Sequence, residues 1–288
     1  ALIIATGSII DGSSGPATIA GDDFVRLIRK AYRDESVKAL VLRVDSGGGS
    51  AYASEVIADE LEKFKQSGRP IVASMSSVAA SGGYYISAPA DKIFANPSTI
   101  TGSIGVGGFI PTFERAFDQI GIHEDGYSTV DLTTSLLKTL TDKDKEIVQM
   151  SVDDIYIKFI TKVAEGRSMS VEEVDSIARG KVWIGEKALE IGLIDELGDI
   201  EDAILAAAEL AELEADNYGV KTILREDQGF GFAFPIATKF KSLLEFFGFT
   251  FASESYQPVL NWLQQQTQIL SELNDPRGIY YHCFCSIE

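Results

Sequence analysis

The chain has 288 residues, of which 45% are hydrophobic and 24% charged, a composition typical of a folded protein with an ample core. Its net charge of −18 argues against nucleic-acid binding, because so acidic a surface repels a phosphate backbone. No stretch is long and apolar enough to span a bilayer, and no secretory signal opens the sequence. Because the sequence starts inside an apolar run without Met, we expect it to be a fragment of a longer protein.

Strand-like and helix-like patterns alternate over the first two-thirds of the chain. Apolar runs typical of buried strands lie at 2–4, 37–44, 71–75, 92–95 and 193–194. Helical periodicity is found at 22–33, 53–65, 141–164 and 202–213, and a capping box at 170–173 starts a further helix. The alternation predicts βαβ units and a mainly parallel, buried sheet.

Two of the predicted helices have clear apolar patterns. The helix at 22–33 places Phe24, Ile28 and Tyr32 on one face, which we expect to pack on the sheet. The helix at 141–164 repeats apolar residues at helical spacing: Ile147, Met150, Ile155, Phe159 and Val163.

The character of the sequence changes near its last quarter, so we predict a first domain at 1–212 and an extension at 213–288. The extension contains two runs rich in aromatic residues and glycine, at 229–235 and 246–251, and a Gln-rich amphipathic helix at 261–273. The segment 239–251 suits either a membrane surface or another protein surface, and the acidic character of the chain favours protein. Cys283 and Cys285 have neither the number nor the spacing of a zinc site, and their proximity disfavours a disulfide.

Three glycine-rich turns follow predicted strands, and they carry the candidate chemistry. The first is Ser46-Gly47-Gly48-Gly49-Ser50, the second Ala80-Ser81-Gly82-Gly83 and the third Thr101-Gly102-Ser103. The first lacks the Gly-Lys-Ser/Thr ending of a phosphate-binding loop, and a tight turn without function explains it as well as an oxyanion hole does. Together, the three turns would meet at the carboxyl edge of one sheet, where parallel α/β proteins bind ligands.

Ser81 is a candidate nucleophile, but the sequence offers no evident base to activate it. His123 lies in a polar loop and His282 in the terminal segment, and neither has the context of a Ser-His-Asp triad. A neutral lysine is the other route. Lys143 and Lys145 lie on a charged helical face, where we expect them to be solvated.

These motifs together resemble the signal peptide peptidase A family, serine–lysine peptidases of bacterial envelopes. The resemblance covers roughly 1–212 and rests on four segments in family order: 44–49, 79–84, 96–105 and 182–185. It implies an α/β fold with a crotonase-like or Clp-protease-like core of repeated ββα units, a mainly parallel sheet, flanking helices and a C-terminal extension. The segment at 273–277 also resembles the end of the long, tandem-repeat bacterial form, so the chain resembles the C-terminal half of that form.

The resemblance assigns a role to each matching residue. Ser81 matches the nucleophile, Gly48 and Gly82 match the oxyanion-hole donors, and Ser103 matches the serine that orients the lysine base. Asp131 stands about where the short form of the family has that lysine, so the resemblance implies that the base comes from the absent N-terminal repeat. Lys138 is the nearest local alternative. Gly47 replaces the usual proline of the oxyanion turn, which puts the geometry at Gly48 in question.

The implied activity is hydrolysis of hydrophobic peptides such as cleaved signal peptides, at the periplasmic face of the inner membrane, with the membrane anchor outside this chain. The implied partners are the N-terminal repeat and further copies, as in a tetramer, and no cofactor, metal or nucleic acid is implied. Two alternatives remain open: a crotonase-type acyl-CoA hydratase or isomerase, which would need acidic catalytic residues and no nucleophile, and a catalytically silent oligomerisation module.

Overall fold

The structure is a computed structural model that describes residues 1–13, 18–125, 135, 137–214, 217–225, 274–276 and 278–282. Its strands are β1 Leu2–Thr6, β2 Ser8–Ile10, β3 Thr18–Ala20, β4 Leu40–Ser46, β5 Gly48–Ser50, β6 Ile71–Ala80, β7 Lys92–Ala95, β8 Ile100–Gly102, β9 Gly107–Gly108, β10 Val182–Ile184, β11 Glu196–Leu197 and β12 Ile279–His282. Its helices are α1 Gly21–Arg33, α2 Ala51–Lys65, α3 Gly82–Ser87, α4 Glu114–Asp118, α5 Asp142–Arg167, α6 Val171–Ile177, α7 Gly185–Glu190 and α8 Ile200–Leu210.

The larger sheet is mainly parallel, as predicted. Its strands follow the order β1-β4-β6-β7-β11, with β8 parallel to the end of β6 and β10 antiparallel to β8. The long strand β6 uses residues 72–74 to pair with β7 and residues 78–80 to pair with β8. This switch of partner brings the end of β8 next to the end of β6.

Both faces of this sheet are covered, which explains the nearly continuous apolar character of its central strands. Leu40 and Leu42 in β4 belong to the main core, beneath α1, α2 and α3. Val41, between them, faces the other side and belongs to a smaller cluster with Val72, Phe94 and alanines of α8. The period-two alternation of buried residues therefore separates two cores.

Two helical apolar patterns are only partly buried. In α1, Phe24 and Ile28 are buried, but Tyr32, in the last turn, is 48% exposed and contacts Phe64 in a T-shaped arrangement with 6.5 Å between ring centroids. In α5, Ile155, Phe159 and Val163 are buried, whereas Ile147 and Met150 are exposed. The first half of α5 contacts the chain near β9, through Val148 and Val152 beside Gly108, so its opposite side faces outward.

The predicted strand at 193–194 is wrong. Leu193 and Ile194 are buried, but they lie in a turn, and the strand that joins the sheet is β11 at Glu196–Leu197. Asp195 holds this turn in place: its carboxylate accepts hydrogen bonds from the Ile93 N–H at 2.7 Å and from two guanidinium nitrogens of Arg167 at 2.7 and 2.8 Å.

Replacing Arg167 with alanine is expected to lower the free energy of unfolding by about 2 kcal/mol, because the change removes charged hydrogen bonds and leaves the Asp195 carboxylate, whose side chain is 31% exposed, without its charge partner. The side chain of Arg167 is only 7% exposed, and its Nε also donates to the Gly192 carbonyl at 3.0 Å. Chemical denaturation of the 288-residue chain measures the effect. Lys145→Ala removes an ion pair with Asp142 whose side chains are 61% and 95% exposed, and it should cost less than about 1 kcal/mol. Equal losses of unfolding free energy in the two variants would contradict the stabilising role assigned to Arg167.

A second, smaller sheet has the order β3-β2-β5-β12-β9. Strands β2, β3 and β5 come from the first 50 residues, whereas β12 comes from the C-terminal end and pairs antiparallel with both β5 and β9. The compact unit that contains both sheets comprises 1–223 and 273–288. The expected boundary at 212/213 stays a prediction, but the chain after it contributes β12 to the first unit.

A second unit spans 224–272. The aromatic runs at 229–235 and 246–251, the predicted helix at 261–273 and both cysteines lie outside the described residues. Within the part of the chain that the structure describes, no helix is long and apolar enough to cross a membrane.

Candidate active site

Ser81 lies at the sharp turn that joins β6 to α3. Its backbone adopts φ 54° and ψ −116°, a conformation that costs a non-glycine residue about 1–3 kcal/mol. Two hydrogen bonds hold this conformation: the Ser81 N–H donates to the Gly102 carbonyl, and the Tyr85 N–H donates to the Ser81 carbonyl, each at 2.8 Å. Strained backbones of this kind persist only where the surrounding structure holds them, and they are common at functional sites.

The hydroxyl of Ser81 is buried and has no hydrogen-bond partner among the described residues. The residue is 1% exposed, whereas buried hydroxyl groups in folded proteins nearly always have a partner. The neighbouring buried serines follow that rule: Ser54 Oγ donates to the Ser50 carbonyl and Ser87 Oγ to the Gly83 carbonyl, both at 2.8 Å. Ser81 therefore lies on a strained turn held by backbone hydrogen bonds, with a hydroxyl that no described group engages.

Gly48 and Gly82, the two expected oxyanion donors, lie in direct backbone contact. A Cβ on Gly48 would stand 2.7 Å from the Gly82 nitrogen, and a Cβ on Gly82 would stand 3.1 Å from the Gly48 Cα. Gly48 also has φ 101°, which favours glycine strongly. Only glycines allow these two backbones to approach so closely.

Ser46, which the sequence did not single out, fixes the turn that carries Gly48. Its hydroxyl donates to the Gly7 carbonyl at 2.7 Å and accepts from the Gly48 N–H at 3.1 Å. This local bond supports the turn where Gly47 stands in place of the family's proline. The same bond occupies the Gly48 N–H, which the expected oxyanion role requires. Gly48 could fill that role only if its N–H were shared between Ser46 Oγ and the oxyanion, or released from Ser46.

Ser103 follows the strand next to that of Ser81. Residues Ala80 and Gly102 are register partners in β6 and β8, so Ser81 and Ser103 come directly after a paired position. Ser103 also has a left-handed backbone, with φ 48°, and its N–H donates to the Lys181 carbonyl at 2.8 Å. The ends of β4, β6 and β8, and hence all three glycine-rich turns, lie side by side at one edge of the sheet.

The described part of the chain supplies no base hydrogen-bonded to Ser81. His123 is exposed and lies 2.9 Å from an Asp118 carboxylate oxygen. Lys138 lies near Glu114 instead. The pKa of Glu114 is lowered chiefly by hydrogen bonds from Thr139 and to a smaller extent by the positive charge of Lys138. Asp131 lies outside the described residues.

The backbone of His282 lies beside the site, although the sequence placed this residue in an unassigned terminal segment. In the pairing of β12 with β5, His282 is opposite Gly48 and Tyr281 opposite Gly49. Sequence reasoning missed β12, but a signal was present: an Asp-Pro turn followed by Ile279, Tyr280 and Tyr281, which are β-branched and aromatic residues with high strand propensity. No group of three or more His, Cys, Asp or Glu within the described ranges is placed to hold a metal ion.

Comparisons with known proteins identify a matching family model and a solved structure that this chain resembles. The family model described as Peptidase family S49 matches residues 63–214, a range that includes Ser81, Gly82 and Ser103 but not Gly48. A solved structure, that of a ClpP1 point mutant from Listeria monocytogenes, is similar over 70% of this chain and 94% of its own, with 14% identity and a TM-score of 0.49.

Three curated relatives have names that describe proteases. Protease 4 of Haemophilus influenzae is 38% identical over 98% of this chain and 46% of its own length, and Protease 4 of Salmonella typhi is 49% identical over 74% of this chain and 35% of its own. The chloroplastic serine protease SPPA of Arabidopsis thaliana is 34% identical over 73% of this chain and 32% of its own. The chain thus spans less than half the length of these relatives. It belongs to peptidase family S49.

Proposed function

We propose that this chain is the nucleophile-bearing half of a serine peptidase that hydrolyses hydrophobic peptides such as cleaved signal peptides. The observation that carries the proposal is the buried Ser81 hydroxyl, which has no partner among the described residues and lies on a strained turn beside the Gly48 and Gly82 backbones. The names of the relatives support a protease.

The reaction is acyl transfer in two stages. Ser81 Oγ attacks the peptide carbonyl carbon while its proton passes to a neutral lysine amine, and the oxyanion is stabilised by the N–H groups of Gly48 and Gly82. The C–N bond then breaks, and the lysine returns the proton to the leaving amine. Water hydrolyses the resulting ester by the same route, which restores Ser81.

The lysine base is proposed to come from a second repeat outside this chain. Ser81 Oγ has no hydrogen bond to Lys138 or to any other described residue, and the chain spans less than half the length of its relatives. Ser103, at the adjacent strand end, is proposed to orient the incoming amine. A lysine that is neutral near pH 7 requires a desolvated site, which the burial of Ser81 and Ser103 favours.

The proposed setting is the periplasmic face of a bacterial inner membrane, in a homo-oligomer whose membrane anchor lies outside this chain. Exposed apolar side chains such as Phe113, just before α4, and Met150, in α5, are consistent with such assembly.

The isolated chain is expected to hydrolyse a fluorogenic hydrophobic peptide at least about 100-fold more slowly than the same chain with the N-terminal repeat restored, since a missing general base typically costs about 10²–10⁴-fold. Turnover of both forms at equal concentration measures the difference. Ser81-dependent hydrolysis by the isolated chain at the rate of the complete protein would contradict the proposal.

A further inference from the structure

Strand β6 contains a bulge just before the nucleophile turn. Two steps along β4, from Val44 to Ser46, correspond to four steps along β6, from Met75 to Ala79. The bulge lies between the stretch of β6 that pairs with β7 and the stretch that pairs with β8. Bulges of this kind are common next to active sites, where they redirect the chain and the side chains that follow.

We propose that this bulge sets the position of Ser81 beside Gly48, and that Arg43 and Asp45 of β4 are positioning residues that hold the bulge. At about 3.3 Å per residue, a regular pairing without the two extra residues would carry Ser81 about 6.6 Å further along the sheet, away from Gly48. With the bulge, the backbones of Gly48 and Gly82 are in contact. The effect on turnover rests on the proposed function, whereas the hold on the bulge does not.

The side chain of Arg43 reaches over the first part of the bulge. Arg43 and Ser74 are register partners in the regular part of the pairing, and Arg43 Nη1 donates to Ser74 Oγ at 2.7 Å. The same nitrogen donates to the Met75 carbonyl at 3.2 Å, and Nη2 donates to Ser76 Oγ at 3.1 Å. A planar guanidinium presents several donors in a fixed geometry, so one side chain fixes three successive residues of β6.

Asp45 holds the other end of the bulge. Its Oδ1 accepts a hydrogen bond from the Val78 N–H at 3.2 Å, so a side-chain oxygen takes the place of a backbone carbonyl of β4. Thr99, the buried residue before β8, donates its hydroxyl to the Ser76 carbonyl at 2.7 Å. Side chains from both neighbouring strands therefore satisfy backbone groups of the bulge, which makes it a specific feature of the sheet. Through Thr99 the bulge is also tied to the strand that leads to Ser103.

The test compares kcat and KM of variants of the complete protein on a fluorogenic hydrophobic peptide. Asp45→Ala and Arg43→Met should each lower kcat at least about 10-fold and change KM less than about 3-fold, because a displacement of about 1 Å at the reacting atoms can cost about 100-fold. Asp45→Asn should keep both constants within about 3-fold of the wild type, since its amide oxygen can accept the same hydrogen bond. Arg167→Ala removes the ion pair with Asp195 and leaves the bulge intact, so it should lose stability and keep its kcat.

Hydrogen exchange of the same proteins, followed by mass spectrometry, reports on the bulge without any hydrolysis. The Val78 amide should exchange at least about 10-fold faster in Asp45→Ala than in the wild type or in Asp45→Asn, because its acceptor is lost. Circular dichroism establishes that each variant is folded, and Arg43→Met suffices for the kinetic test if Asp45→Ala is not. Wild-type kcat in a folded Asp45→Ala or Arg43→Met protein, or wild-type exchange in Asp45→Ala, would overturn the proposal. If the complete wild-type protein cleaves nothing, the proposed function fails, and the exchange rates alone decide whether Asp45 holds the bulge.

Discussion

Replacing Ser81 with alanine in the complete protein is expected to lower peptidase turnover roughly 10⁶-fold, the scale measured when the nucleophile of a serine peptidase is removed. The expectation follows from position: the Ser81 hydroxyl is the buried polar group without a partner among the described residues, and it lies next to two glycine backbones. Binding and oxyanion stabilisation do not need the hydroxyl, so a small residual rate should persist. Release of a fluorophore from a hydrophobic peptide, followed over hours, covers the necessary range.

Ser87→Ala provides a matched control for that experiment. Ser87 is a buried serine in the same helix that follows Ser81, and its hydroxyl is already bonded to the Gly83 carbonyl. Its loss should change turnover by less than about 10-fold, because a net intrahelical hydrogen bond contributes only about 1 kcal/mol. If Ser81→Ala and Ser87→Ala reduce turnover equally, the nucleophile assignment fails.

Gly48→Ala is expected to lower turnover by at least about 100- to 1,000-fold, the effect of losing one oxyanion donor. A methyl group at this position would stand 2.1 Å from the Tyr281 carbonyl oxygen and 2.7 Å from the Gly82 nitrogen, and φ 101° is unfavourable for alanine. The backbones of Gly48 and Gly82 would have to separate, and with them the pair of N–H donors. The same peptide assay measures the loss.

Gly68→Ala separates the steric effect from the cost of the backbone angle. Gly68 has φ 80°, and a Cβ there meets nothing within 4 Å. This variant should lose about 1 kcal/mol of stability from backbone strain and keep its turnover. A Gly48→Ala protein that stays folded and retains full activity would exclude Gly48 from the oxyanion role.

The sequence was most informative where local pattern decides structure. The apolar runs and helical periodicity predicted the parallel sheet and its main helices within a few residues, because strands buried on both faces and amphipathic helices have distinct local signatures. The serine–glycine turns after β4, β6 and β8 were predicted to meet at one edge, since parallel strands end together, and the structure places them side by side.

The features that were missed depend on contacts between distant parts of the chain. β12 joins a sheet whose other strands lie 170 or more positions earlier, and the hydrogen bonds from Ser50 Oγ and the Tyr52 N–H to the Asp275 carboxylate span a similar separation. Neither pairing has a local signature beyond the strand propensity of the Ile-Tyr-Tyr run. Likewise, helical spacing could not show that Met150 faces outward, because the pattern fixes the period of a helix but not where its packing ends.

Ser46 is a third feature that could not be predicted from the sequence. Its hydroxyl links the Gly7 carbonyl to the Gly48 N–H, a role that a small polar residue before a glycine run does not reveal from sequence. The bond supports the turn that carries Gly48, and it shows how an ordered turn forms here with Gly47 where the resembled family has proline.

Labelling of the complete protein with a serine-directed fluorophosphonate tests the central claim most directly, because the reagent reacts preferentially with an activated serine and forms a stable covalent adduct with it. Peptide mapping by mass spectrometry should place a single adduct on Ser81, and labelling should fall to background in Ser81→Ala and remain in Ser87→Ala. A protein that cleaves peptides while its adduct lies on another residue, or while Ser81 stays unmodified, would contradict the account.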